Sequence, residues 1–172
     1  MVEIAKRLRN AGLEVRQVTA GSTPTGKYVA EVPGITESRA GTYVFNDLMQ
    51  LAHGSSEEQI ALTVLCTVVS QNSPGMLTVD GGSKTFSGDM PRGAAGTPPT
   101  IARALDRDIV VDRLSEEHGI GRIRGASAQL GEKIRFVPYH VCTCVNLSDQ
   151  IVGFRGERVE TVWQVVARGL RE

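Results

Sequence analysis

Phe136-Val137-Pro138-Tyr139-His140-Val141-Cys142-Thr143-Cys144-Val145-Asn146-Leu147 is the stretch that decides how this chain folds. It is rich in β-branched and aromatic residues, so it is predicted to be a strand. Side chains on a strand alternate faces. That places His140 and Cys142 on one face, at a spacing of about 6.5–7 Å. An imidazole and a thiolate so placed can converge on one zinc ion, with bonds of roughly 2.0 Å to nitrogen and 2.3 Å to sulfur. Two ligands do not close a structural site. They suit an open catalytic site completed by water, substrate or another part of the protein. Spacing alone equally allows a buried His and a buried Cys in a β core.

The rest of the composition bounds the protein. Its 172 residues are 41% hydrophobic, enough for one or two compact domains. The 19 basic and 19 acidic side chains cancel, and aromatics make up only 5%. There is no basic run to attract nucleic acid or an anionic membrane surface. Cys142 and Cys144 share the predicted strand, where a bridge would strain an extended backbone, and Cys66 sits in an apolar run. Three reduced thiols are expected. With no apolar run of about 18 residues and no signal peptide, the expectation is a soluble, cytoplasmic protein.

Val2, Ile4, Ala5, Leu8 and Ala11 recur at helical spacing, and Gly12 is placed to end that helix. Leu13 to Val18 alternates as a short strand, and a second strand is predicted from about Ile35 to Phe45. A parallel sheet needs both faces covered, which this fragment of α/β architecture cannot provide for itself. From about Gln59 the pattern changes to apolar, β-branched runs: Ile60 to Val69, Met76 to Val79, Ile109 to Val111, Ile134 to Asn146, and Ile151 to Ala167 broken near Arg155-Gly156-Glu157. Asp80-Gly81-Gly82 is predicted to form a tight turn, and the Gly- and Pro-dense Phe86 to Thr100 a long irregular loop. This part should be all β and mostly antiparallel.

Several loops carry residue types suited to chemistry. In Ala20 to Gly26, Gly21 allows close backbone approach, and the hydroxyls of Ser22, Thr23 and Thr25 with exposed amides suit a phosphate. The same residues suit a turn with capping hydroxyls. The P-loop lysine and spacing are absent, which argues against a nucleoside triphosphate. Ser38-Arg39-Ala40-Gly41-Thr42-Tyr43 is a second Gly-bearing segment, alternatively an ordinary strand entry. Ser115-Glu116-Glu117-His118-Gly119 sets two carboxylates beside an imidazole, as many solvated turns do. His53 has nothing beside it that suggests a ligand.

Five segments occur in an order that resembles the metal-activated pyridoxal phosphate enzymes, the family of D-serine dehydratase and D-threonine aldolase. They are Gly21-Ser22-Thr23-Pro24-Thr25, Gly41-Thr42-Tyr43-Val44-Phe45-Asn46-Asp47, Val79-Asp80-Gly81-Gly82-Ser83-Lys84, Leu114-Ser115-Glu116-Glu117-His118-Gly119 and Pro138-Tyr139-His140-Val141-Cys142-Thr143. The resemblance implies a mixed α/β, β-rich fold. Residues 1–47 would be a remnant of the last units of a (β/α)8 barrel, and residues 48–172 an antiparallel β domain of the alanine-racemase C-terminal type. It places Gly21, Ser22 and Thr23 on one side of a pyridoxal phosphate group, with the amides of Gly41 and Thr42 on the other. Arg39 falls where related racemases face the pyridine nitrogen with an arginine, and His140 and Cys142 match the metal pair. Tyr139 stands where relatives often have Asn, and Cys144 where they often have Thr. Asp80, Lys84, Glu116, Glu117 and His118 lie in family segments without an assigned role.

The chemistry the resemblance implies is a lyase reaction on a β-hydroxy D-amino acid. A dehydratase removes the α-proton while zinc, as Lewis acid, helps the β-hydroxyl leave. An aldolase instead breaks the Cα–Cβ bond to give glycine and an aldehyde. A soft thiolate at Cys142 favours zinc over manganese or magnesium and tilts the expectation toward the dehydratase branch. The family's Schiff-base lysine lies far upstream of any segment present, and Lys6, Lys27, Lys84 and Lys133 do not share its context. The chain is therefore expected to be the C-terminal portion of such an enzyme, inactive by itself. Its partner would be a second copy or a complementing barrel chain. The other readings are a free-standing β module that binds zinc or a partner, and a structural domain without metal.

Overall fold

The computed structural model describes residues 1–91, 99–125 and 127–170. The predicted first helix forms as α1 (Val2–Asn10). Gly12, at φ 82°, ends it by donating its N–H to the Arg9 carbonyl at 3.0 Å, while Leu13 donates to the Leu8 carbonyl at 3.1 Å. This glycine-terminated double bond satisfies carbonyls the helix would otherwise leave open.

The two predicted strands that follow are shorter than expected. Only β1 (Thr19–Ala20) and β2 (Glu37–Ser38) pair, in parallel, with α2 (Gly26–Val29) between them. Leu13 to Val18 lies outside any strand. Strand geometry is held by a neighbour's ladder, and alternation alone does not supply one. Past Ser38 the chain leaves the pair and forms a 3-10 turn at Thr42–Val44, then α3 (Leu48–Ala52) and a second 3-10 turn at Glu57–Gln59.

The second part is antiparallel, as predicted. Six strands, β3 (Val64–Ser70), β4 (Met76–Val79), β5 (Ala102–Ala104), β6 (Ile109–Leu114), β7 (Gly119–Ile123) and β8 (Lys133–Pro138), close into a barrel in the order β3-β4-β7-β6-β5-β8. Alternate residues point inward and are almost fully buried: Cys66 and Val68, Leu77 and Val79, Ala102 and Ala104, Ile109 and Val111, Ile134 and Phe136. Each large buried side chain among them contributes roughly 1.5–3 kcal/mol. Strand β7 was hidden in the sequence because two of its three inward positions, Gly119 and Gly121, are glycines, with only Ile123 adding a side chain to the core. A Cβ on Gly121 would lie 2.7 Å from the Val110 carbonyl oxygen, so the close approach of β6 requires glycine there.

Asp80-Gly81-Gly82 does not make a hairpin turn. It leads into α4 (Ser83–Phe86), which places Phe86 edge-on to Phe136 at a centroid distance of 6.3 Å. Gly82 lets the backbone of Glu116 pack against it, and Ser83 and Lys84 donate their N–H groups to the carbonyls of Ser115 and Glu116. The predicted loop from Phe86 therefore starts after α4. Residues 87–91 have no regular structure, and 92–98 lie outside the described residues.

The largest correction falls on the opening stretch. Strand β8 ends at Pro138, and residues Val141–Asn146 form helix α5. The reason is a buried carboxylate. Asp47 is fully buried; one oxygen accepts the Gln50 N–H at 2.9 Å and the other accepts the Val141 N–H at 2.9 Å. It thus caps the first turns of α3 and α5 together, and this tertiary tie overrides the β propensity of Val141 to Val145. The last run does form a hairpin, β9 (Gln150–Arg155) with β10 (Arg158–Gln164), broken where predicted.

Removing the Asp47 carboxylate strands two N–H donors in the interior. Asp47→Ala is expected to cost about 3 kcal/mol in urea unfolding, with Asp47→Asn recovering at most half. A loss under 1 kcal/mol would show that these caps are not what holds α5.

Candidate functional site

Three chain segments meet beside the mouth of the barrel. The first is the loop after β1. Gly21 has φ 94°, and a Cβ there would press within 3.1 Å of Val29 and 3.2 Å of the Ser38 hydroxyl. The Thr25 hydroxyl accepts the Ser22 N–H at 3.0 Å, and the Thr23 hydroxyl accepts the Tyr43 N–H at 3.0 Å. That last bond ties the loop to the second segment, the 3-10 turn at Thr42–Val44. The backbone N–H groups of Thr23, Gly41 and Thr42 take no hydrogen-bond partner among the described residues. Ser22, by contrast, has its N–H occupied. Open amides beside a positive-φ glycine and hydroxyls are suited to a phosphate dianion.

The third segment is the start of α5. The Cys142 thiol is exposed and lies 3.5 Å from the Thr42 hydroxyl, which joins the two residue sets predicted separately for metal and cofactor. His140 and Cys142 do not share a strand face as predicted. His140 is the extended residue preceding α5, and Cys142 lies in its first turn. His140 is turned toward Asp89, which its Nδ1 meets at 2.7 Å. Asp89 also accepts from the Thr143 hydroxyl at 2.9 Å. The hydrogen bond from His140, then that from Thr143, holds the Asp89 carboxyl below its usual pKa.

Asp89, Thr143 and Ser87 were missed as site residues. They are ordinary polar residues in a Gly- and Pro-dense loop and in a segment taken for a strand, and no spacing rule links them across more than 50 positions. Arg39, exposed, makes no ion pair among the described residues. Asp80 accepts the Thr67 N–H at 2.6 Å, and Lys84 pairs with Glu117 at 2.7 Å. His118 donates its N–H to the Ser115 hydroxyl at 3.3 Å. These residues brace α4 and the strands beside it, outside the site.

The donor chemistry fits a divalent metal in part. A carboxylate on Nδ1 leaves Nε2 as the ligating atom, and Cys142 offers an accessible sulfur. Among the described residues, no group of three or more His, Cys, Asp or Glu side chains could hold a metal ion. Two donors would make half of a four-ligand site. The cradle likewise fits one side of a phosphate group. Lys27, next to the cradle in sequence, lies over the Tyr28 ring at 4.9 Å, and Lys84 is held by Glu117.

Residues 61–154 match the family described as "Putative serine dehydratase domain". A D-threonine aldolase of an Arthrobacter species is 32% identical over 170 residues, covering 96% of this chain and 43% of the relative. The D-threo-3-hydroxyaspartate dehydratase of Delftia sp. (strain HT23) is 36% identical over 159 residues, 82% of this chain and 41% of the relative. Its solved structure superposes with a TM-score of 0.78 at 30% identity, over 95% of this chain and 48% of that one. D-threo-3-hydroxyaspartate dehydratase mutants have been solved with alanine for a histidine and for a cysteine two positions further on, the latter in the metal-free form. His140 and Cys142 have the same spacing. An uncharacterized protein of Mycobacterium tuberculosis is 33% identical over 134 residues, 73% of this chain and 98% of the relative. The fold is that of the C-terminal portion of alanine-racemase-like proteins. The chain thus spans less than half the length of the two enzymes it matches.

The three thiols differ sharply in burial: Cys66 and Cys144 are buried, and Cys142 is exposed. Burial, with the Asp80 charge adding to it, pushes the Cys66 thiol up to about 12, and burial pushes Cys144 up to about 11. Maleimide at neutral pH is expected to add once to the folded protein, at Cys142, and three times in urea; mass spectrometry of the labelled peptides checks this. Because the folded Cys66 keeps its proton above the unfolded value of about 9, its stabilisation is complete below pH 9 and is lost from there to about pH 12. The slope is at most about 1.4 kcal/mol per pH unit. Cys66→Val should remove that component from urea midpoints measured across pH 8–11.

Proposed function

This chain belongs to the serine dehydratase domain family, and we propose that it is the C-terminal portion of a zinc- and pyridoxal-phosphate-dependent lyase acting on β-hydroxy D-amino acids, in the manner of D-serine dehydratase. The observation that carries the proposal is the junction of Cys142 and Thr42 at 3.5 Å, which sets the metal-type donors against the phosphate-type cradle. Residues 1–47 would then be the last barrel units, in keeping with the parallel β1–β2 pair, and residues 48–172 the β domain.

Gly21, Ser22, Thr23, Gly41 and Thr42 would hold the cofactor phosphate, and His140 and Cys142 two positions of the zinc. When bound, pyridoxal phosphate supplies an electron sink at Cα and zinc a Lewis acid for the β-hydroxyl. The chain's own residues hold these groups in register. Thr23, bonded to the Tyr43 N–H, keeps the two halves of the cradle together. Asp47 sets where α5 begins, and so where both metal donors stand.

None of the four lysines in the chain stands in this site's context, so we further propose that the chain does not turn over substrate alone. Ile4 and Leu8 on α1, and Val152, Phe154, Val159 and Val162 on the hairpin, remain exposed. That supports cover by a second copy or by a complementing barrel chain. A retro-aldol reaction on the same class of substrate is the alternative, favoured by the aldolase relative that spans 96% of this chain. The M. tuberculosis relative, aligned over 98% of its length, favours a module that binds metal or a partner without catalysis.

Half of a four-ligand zinc site supplies roughly half of its 10–16 kcal/mol, which corresponds to a Kd on the order of 1–200 µM. Equilibrium dialysis should therefore find one zinc per chain in that range, and His140→Ala/Cys142→Ser should abolish it. Unchanged binding in the double variant would remove the metal pair from the proposal. Turnover of D-serine or D-threonine by the isolated chain, or a visible cofactor band surviving gel filtration, would overturn its dependence on a missing half.

A further inference from the structure

Four polar groups around His140 form a closed ring of hydrogen bonds. The Asp89 N–H donates to the Ser87 hydroxyl at 3.1 Å, and Ser87 and Thr143 share a hydroxyl–hydroxyl bond at 3.0 Å. The Thr143 hydroxyl meets Asp89 Oδ2 at 2.9 Å, and His140 Nδ1 meets the same oxygen at 2.7 Å. The donor inventory leaves one direction for this ring. A carboxylate only accepts, so Thr143 spends its single hydrogen on Asp89. The bond between the hydroxyls must then be donated by Ser87. Nδ1 of His140 must likewise be the donor to Asp89, and Nε2 of the neutral ring is left with its lone pair free.

The backbone is arranged for this ring. Ser87 is buried at φ 68°, ψ 177°, a region tolerated essentially by glycine alone. Such a conformation persists only where the surroundings over-determine it. Here it turns the Ser87 hydroxyl between the Asp89 amide and Thr143.

We propose that Asp89, locked by Ser87 and Thr143, is a positioning residue that holds His140 as the Nδ1–H tautomer with Nε2 presented to the metal. This rests on the zinc assignment of the preceding section, and it adds a role for three residues outside the proposed metal pair. A histidine free in water favours the opposite tautomer, with the proton on Nε2. The ring of bonds thus does work that His140 cannot do alone. Loss of such an outer partner typically weakens metal affinity 10- to 100-fold.

The test is nitrogen NMR of the histidine-labelled, metal-free chain at neutral pH, alongside zinc dialysis, for wild type, Asp89→Asn and Ser87→Gly. Wild type should show His140 protonated on Nδ1. Asp89→Asn should shift His140 toward the Nε2–H form, leave His53 and His118 unmoved, and weaken zinc 10- to 100-fold. Ser87→Gly accepts the same backbone angles without strain, so the fold should be unharmed or firmer while the tautomer becomes mixed. A purely structural role for Ser87 predicts a destabilised fold and an unmoved tautomer. A wild-type His140 protonated on Nε2, or one unchanged by Asp89→Asn, would overturn the proposal. Zinc binding that Asp89→Asn does not weaken would sink the role of Asp89 and leave the metal reading standing. A fixed Nδ1–H tautomer in a chain that binds no zinc would sink the metal reading and leave the positioning of the ring standing.

Discussion

The Asp47 carboxylate, fully buried and shared between the N–H groups of Gln50 and Val141, is the constraint on which the arrangement depends. It joins two points 94 residues apart. Charge-assisted bonds to a buried carboxylate are worth about 1.5–3 kcal/mol each, and breaking them leaves donors with no water to turn to. Asn46, at φ 53°, helps deliver Asp47 by bonding the carbonyls of Tyr43 and Gln59. The Met49 N–H adds a bond to the Tyr139 carbonyl. Through this junction the segment from Thr42 to Gln50 is fastened to the exit of β8, and Cys142 comes to rest against Thr42.

The barrel supplies the rigid frame. Its interior alternates along five strands, while the glycines of β7 admit the neighbouring backbones. Phe86 closes one side against Phe136. From that end the chain passes into Ser87 and Asp89, so the partner of His140 lies three residues beyond a side chain fixed in the barrel core. The exposed ion pairs do not decide this arrangement. Lys84 with Glu117 and Arg103 with Glu57 lie at the surface, where a pair is worth at most about 1 kcal/mol.

The two aspartates divide the work. Asp47, out of reach of solvent, serves the fold by capping helices. Asp89, 44% exposed at its side chain, serves an imidazole and the Thr143 hydroxyl. The same functional group does both because a carboxylate offers several acceptor sites, and its surroundings choose the donors.

The antiparallel character of residues after Gln59, the first helix with its terminating Gly12, and the hairpin broken at Gly156 were all legible in local pattern, because alternation and glycine placement are properties of neighbouring residues. The family segments, too, were visible as strings. What the string could not contain was partnership. β7 has glycine at two of its three inward positions, so its alternation left little trace. The β-rich run from Val141 to Val145 became a helix because a carboxylate 94 positions earlier took its first N–H. Leu13 to Val18 stayed outside any strand because bonding to the neighbouring segment begins only at Val18, which meets Thr36. Asp89 became the partner of His140 only when the barrel brought residue 89 to residue 140. Local propensities are worth tenths of a kcal/mol per residue, whereas a buried cap or a missing ladder is worth several times that. The sequence by itself determined the class of elements and set His140 and Cys142 two positions apart; the tertiary structure decided which way these side chains face, because their surroundings are assembled from segments far away in the chain.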